Sequence, residues 1–95
     1  MDIVVLDTRN CCSFADYFII CSGESTRQIN AIRDAIAERL ETTGVPILHK
    51  EGDADSGWVL LDFGDVITHI FASEVRAYYG LDQLWNAAPL VLRVQ

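Results

Sequence analysis

Residues 58–71 read WVLLDFGDVITHIF, and few folds can hold such a stretch. Apolar residues fill most of it on both sides of Phe63-Gly64, which predicts two strands joined by a two-residue turn. That turn sets Asp62 opposite Asp65, Leu60 opposite Ile67 and Trp58 opposite His69. Trp58, Leu60, Asp62, Asp65, Ile67, His69 and Phe71 then share one face, and Val59, Leu61, Val66, Thr68 and Ile70 the other. Both faces are apolar, so both need cover. Burying a Trp or Phe contributes roughly 2–3 kcal/mol, and contiguous apolar surface left open marks a partner site. One face requires a long helix of this chain. The other is covered either by a short helix and the C-terminal PLVLRVQ or by another molecule.

The long helix follows directly from the sequence. Ser25-Thr26-Arg27-Gln28 is an S-x-x-Q capping box, in which Ser25 accepts the Gln28 amide and Gln28 reaches back. Ile29, Ile32, Ile36 and Leu40 recur at spacings of three and four and form one apolar stripe. Gly44 suits the left-handed C-terminal cap, and Pro46 forbids continuation. Strands are predicted at Ile3–Leu6, Asp16–Gly23 and Pro46–Gly52. Ser73 caps a short helix, Glu74 complements its dipole and Gly80 ends it. Leu81 to Trp85 adds a further turn. The expectation is an α+β fold: one mixed five-stranded sheet packed with helices, as a single domain over residues 1–95.

Charge narrows the partner class. The 95 residues carry 14 acids against seven bases, a net charge of −7. The bases are scattered, whereas nucleic-acid binders concentrate Lys and Arg to neutralise phosphates. No direct nucleic-acid contact is expected; a basic protein suits the field better. No apolar run approaches the roughly 20 residues of a membrane helix. The start, MDIVVLDTRN, lacks the pattern of a signal peptide, which points to the cytoplasm. Cys11 and Cys12 are adjacent and Cys21 lies in an apolar run, so the three cysteines form no disulfide framework and no metal-ligand spacing.

Catalytic patterns are weak. Asp62 and Asp65 flank a turn and are read as its caps, since a catalytic pair needs a cleft and unequal pKa values. His69 in mid-strand reads as a core or interface histidine. The loop Cys21 to Ser25 joins a strand to a helix N-terminus, a generic anion site. A nucleotidyltransferase would add two alternating acids on a following strand to hold magnesium, and here only Asp34 falls in that window. No catalytic residue, metal or cofactor is expected. Tyr78, Tyr79, Leu81, Leu84 and Trp85 crowd eight positions, with some expected inside and some at a partner surface.

DIVVLD (residues 2–7), ADYFIICSGESTRQINAI (15–32), WVLLDFGDVITHIF (58–71) and YYGLDQLW (78–85) together resemble the ribosomal silencing factor family, RsfS or Iojap, across nearly the whole chain. The resemblance implies a nucleotidyltransferase-like topology without the catalytic site. It implies binding to the large ribosomal subunit through ribosomal protein uL-fourteen, blocked joining of the small subunit and repressed translation. It places the contact surface on Trp58, the sheet face with His69, and Tyr79, Leu81, Leu84 and Trp85, with Asp65 beside it. Some relatives are homodimers, which leaves that state open here. Family members usually begin with a helix before the DIVVLD-like strand, and this sequence starts at that strand. The competing readings are a nucleotide-handling enzyme using Ser22, Gly23, Ser25 and Asp62 or Asp65, and a generic dimerising module.

Overall fold

A computed structural model describes residues 2–10, 13, 15–80 and 88–94. In chain order the elements are β1 (Ile3–Asp7), β2 (Tyr17–Gly23), α1 (Thr26–Thr42), β3 (His49–Asp53), β4 (Trp58–Asp62), β5 (Val66–Ala72), α2 (Ser73–Tyr79) and β6 (Leu90–Val94). The strands form one six-stranded sheet in the order β3-β4-β5-β2-β1-β6. β2 and β5 run parallel, and every other neighbour pair is antiparallel. The α+β mixed sheet is as expected, but it has six strands rather than five. The additional strand comes from the tail, which pairs with β1 instead of lying over a sheet face.

The hairpin register also differs. Asp62 pairs with Ile67, Leu60 with His69 and Trp58 with Phe71. The turn is Gly64-Asp65, closed by the Phe63 amide donating to the Val66 carbonyl at 2.9 Å. Gly64 has φ +96°, the sign that a type II′ turn demands at its first central position. A turn centred on Phe63-Gly64 would put a bulky side chain at that position, so the turn moves on by one residue. The register shift is even, so the predicted face assignment of β4 and β5 survives.

α1 covers one face. Ser25 Oγ accepts the Gln28 amide at 3.1 Å, as the capping box requires. Gln28 Oε1 accepts the Glu24 amide, one residue before the cap. At the other end Gly44, φ +85°, and Val45 return their amides to the carbonyls of Glu41 and Leu40, the two bonds of a Schellman motif. Ile29 is buried against Cys21, Val59, Leu61 and Ile70, with Ile32 and Ile36 packed alongside. On the opposite face Val4, Leu6, Phe18, Ile20, Ile67 and Phe71 form a second cluster, joined by Trp58, Leu60 and Val75. β5 is therefore buried from both sides.

α2 departs from the sequence reading at its start. Ala72 is the N-cap and no side chain caps it; Ser73 is the first helical residue, and its hydroxyl donates to Glu24 Oε1 at 2.7 Å. Gly80 ends α2 in the left-handed conformation, as predicted. Arg76, one of the scattered bases, is buried. Its guanidinium donates to the Asp2 carbonyl at 2.6 Å and to Ser22 Oγ at 3.3 Å, pinning α2 across the end of the sheet. A buried charge persists only with such partners.

Candidate docking face

The face opposite α1 carries an aromatic cluster. Trp58 begins β4, His69 and Phe71 lie on β5, and Tyr79 ends α2. Their rings interlock: Trp58 lies 4.9 Å from Phe71 and 4.8 Å from Tyr79, both tilted, and Tyr78 meets Tyr79 edge-on at 5.2 Å. Aromatic pairs favour such tilted geometries over face-to-face stacking. Trp58 remains half-buried, Tyr79 is 48% exposed and Tyr78 83%. A short helix thus covers the centre of the sheet and leaves an aromatic margin in contact with solvent.

His69 supports that margin from beneath. It is buried between Phe18, at 4.9 Å, and Trp58. The Trp58 indole Nε1–H donates to His69 Nδ1 at 3.2 Å, which leaves the ring proton on Nε2. Nε2 has no hydrogen-bond partner among the described residues. Burial lowers the His69 pKa to about 4, so the ring is neutral at physiological pH. The expected cross-strand pairing of Trp58 with His69 is replaced by a diagonal hydrogen bond. His69 itself is too buried to touch a partner directly; it orients Trp58.

The other predicted residues separate. Asp65 sits in the β4–β5 turn, at the far end of the hairpin from Trp58, six residues along β5 from the Trp58 partner Phe71 and so about 20 Å away by the usual rise. Its carbonyl accepts the amides of Asp16 and Tyr17, tying the turn to β2. Asp62 caps that turn by accepting the Gly64 amide at 2.8 Å, as the turn reading required. Leu81, Leu84 and Trp85 lie outside the described residues. Of the predicted contact set, the structure gathers Trp58, His69 and Tyr79.

One concavity among the described residues lies on each face of the sheet. The larger, about 640 Å³, lies beside α1 between residues such as Ile3, Ile32, Ile36, Leu40 and Phe63. It is almost wholly apolar, offering burial without polar groups to fix orientation. The smaller, about 320 Å³, is lined among the described residues by Glu51, Gly52, Ser56, Trp58, Leu60 and Tyr79. Sequence reasoning missed Glu51. Its signal was β3 pairing with β4, which sets Glu51 opposite Leu60 and therefore on the Trp58 face.

The loop of Ser22, Gly23 and Ser25 is committed to structure. Ser22 meets Arg76, and Ser25 caps α1. A Cβ on Gly23 would lie 2.9 Å from Ile29 Cγ1, so the loop packs directly on the helix. No group of three or more His, Cys, Asp or Glu suited to a metal ion occurs among the described residues.

Known proteins share this arrangement. The family model described as "Ribosomal silencing factor during starvation", RsfS, matches residues 1–95. The ribosomal silencing factor RsfS of Bacillus subtilis is 42% identical over 89 residues, spanning 94% of this chain and 75% of that protein. The mouse protein named "Mitochondrial assembly of ribosomal large subunit protein 1" is 32% identical over 88 residues, which cover 90% of this chain and 39% of that one. A crystal structure of a Chromobacterium violaceum protein superposes with a TM-score of 0.83 at 37% identity, covering 87% of this chain and 69% of that chain. A match along its full length, on a shared fold, makes this chain a member of the ribosomal silencing factor (RsfS) family.

Proposed function

We propose that this protein binds the large ribosomal subunit through ribosomal protein uL-fourteen, blocks joining of the small subunit and so represses translation in the cytoplasm. The observation that carries the reading is the Trp58–Tyr79 aromatic margin on an acidic member of this family. Trp and Tyr dominate interface hot spots, and a net charge of −7 complements a basic ribosomal protein. The name of the mouse relative links that protein to assembly of the large subunit. The contact surface in this reading is Trp58 and Tyr79, held by His69, together with Leu81, Leu84 and Trp85. Asp65 serves as a distant acidic contact for a broad partner.

The protein acts by steric occupation, not catalysis. The Asp62 carboxylate is occupied with the hairpin turn, Asp65 stands at the tip of that turn with no second free carboxylate paired to it, and the imidazole of His69 is neutral and buried. A nucleotidyltransferase-like ancestry that has lost its acid pair fits these assignments. A homodimer is a second reading with its own observation. The edge strand β6 exposes Leu90, Val91, Leu92 and Val94, and an apolar edge invites pairing with another copy.

Sedimentation with purified subunits tests the main reading. The wild type migrates with the large subunit. Tyr79→Ala, at a half-exposed position that leaves the core intact, weakens binding about tenfold or more. A protein that never migrates with the large subunit contradicts it.

A further inference from the structure

We propose that the cleft between Trp58, Tyr79 and Glu51 is a socket for one arginine side chain of the docking partner. This rests on the ribosomal reading for the partner's identity, but the socket is argued from its own chemistry. Trp58 and Tyr79 stand 4.8 Å apart at 50°, an open aromatic wall. β3 forms the facing side. Its register puts Glu51 opposite Leu60 and Asp53 opposite Trp58, so two carboxylates rise on the aromatic face. Asp53 is engaged, since its Oδ1 accepts the Ser56 amide at 2.8 Å. Glu51 is open: its side chain is 65% exposed and its Oε1 meets His49 Nε2 at 2.9 Å. Its Oε2 makes no hydrogen bond among the described residues.

An aromatic wall and a carboxylate across a cleft of about 320 Å³ select a cation. No Lys or Arg is among the described residues that line it, and the basic group that meets Glu51 is the His49 imidazole. Arginine fits better than lysine, because a planar guanidinium stacks on an indole while donating in its plane to a carboxylate. Gly52 also lines the cleft. It has φ +77°, and a Cβ there would collide with the Trp58 carbonyl oxygen, so no side chain can occupy this position without moving β4. The large groove beside α1 has no such pairing of charge with aromatic surface.

Two measurements on the full chain separate the socket from the ribosomal reading. In NMR titrations, N-acetyl-arginine amide shifts the Gly52 amide and the Trp58 indole signals saturably in the millimolar range. N-acetyl-citrulline amide, its neutral isostere, does not. Glu51→Gln weakens the arginine response about three- to tenfold. The same variant binds the large subunit about three- to tenfold less tightly, with a shallower salt dependence. Equal shifts from citrulline, or a Glu51→Gln protein that binds the subunit like the wild type, overturn the socket and leave the ribosomal reading standing. Arginine-specific shifts from a wild-type protein that ignores the subunit support the socket and overturn the ribosomal reading.

Discussion

At the scale of single residues, His69 is the position where sequence and structure diverge most usefully. A mid-strand histidine among apolar residues carries no sign of which nitrogen is engaged. The fold settles this by placing Trp58 diagonally across, so that the indole N–H meets Nδ1. Protonating the ring would break that bond and put a charge among Phe18, Trp58 and Phe71. The folded pKa of about 4 lies below the ordinary value near 6.5. Above pH 6.5 both folded and unfolded rings are neutral, and stability is unaffected. As pH falls from 6.5 toward 4 the unfolded state takes up the proton first, and stability falls by up to about 3 kcal/mol. Urea unfolding at pH 7.5 and pH 5 checks this: the wild type loses about 2 kcal/mol more than His69→Gln over that interval. Equal losses would show that His69 is not the titrating group. Gly52 supplies a second prediction at this scale. Gly52→Ala forces a methyl against the Trp58 carbonyl at positive φ, so it should cost about 2 kcal/mol or more in thermal or urea unfolding.

At the scale of elements, local signals were readable and distant ones were not. The cap at Ser25, the stripe of Ile29, Ile32 and Ile36 and the stop at Gly44 are properties of consecutive residues, and α1 forms where they indicate. Ser25→Ala should therefore cost about 1 kcal/mol in thermal unfolding. β6 was not legible, because its partner β1 lies at the opposite end of the chain and its side chains are exposed at the sheet edge. Without a buried face, Leu90 to Val94 shows no alternation to read. Arg76 was hidden for a related reason. Its acceptors, Asp2 and Ser22, are 74 and 54 residues away, so nothing local marked it as buried. Arg76→Met keeps the volume but leaves those acceptors without their donor, and should destabilise by about 1–3 kcal/mol in urea unfolding. The candidate site was half legible: Trp58 and Tyr79 stood out as large aromatics, whereas Glu51 needed the β3–β4 register. The two sheet edges also contrast. β3 carries His49, Lys50, Glu51 and Asp53, charges that discourage edge pairing, while β6 carries four exposed aliphatics.

For the whole molecule, the two sheet faces divide the work. One is fastened to α1 through Val59, Leu61 and Ile70. The other is only partly roofed by α2 and presents Trp58, Tyr79 and the Glu51 cleft together. The net charge of −7 then favours encounter with a basic surface. The central claim is that this second face meets the large subunit. Photo-crosslinking tests it most directly, with the crosslinker placed at position 79 in one protein and at Asp34, exposed on α1, in another. The account predicts a crosslink to ribosomal protein uL-fourteen from position 79 and none from position 34. A crosslink to the large subunit from position 34, with none from position 79, would contradict it.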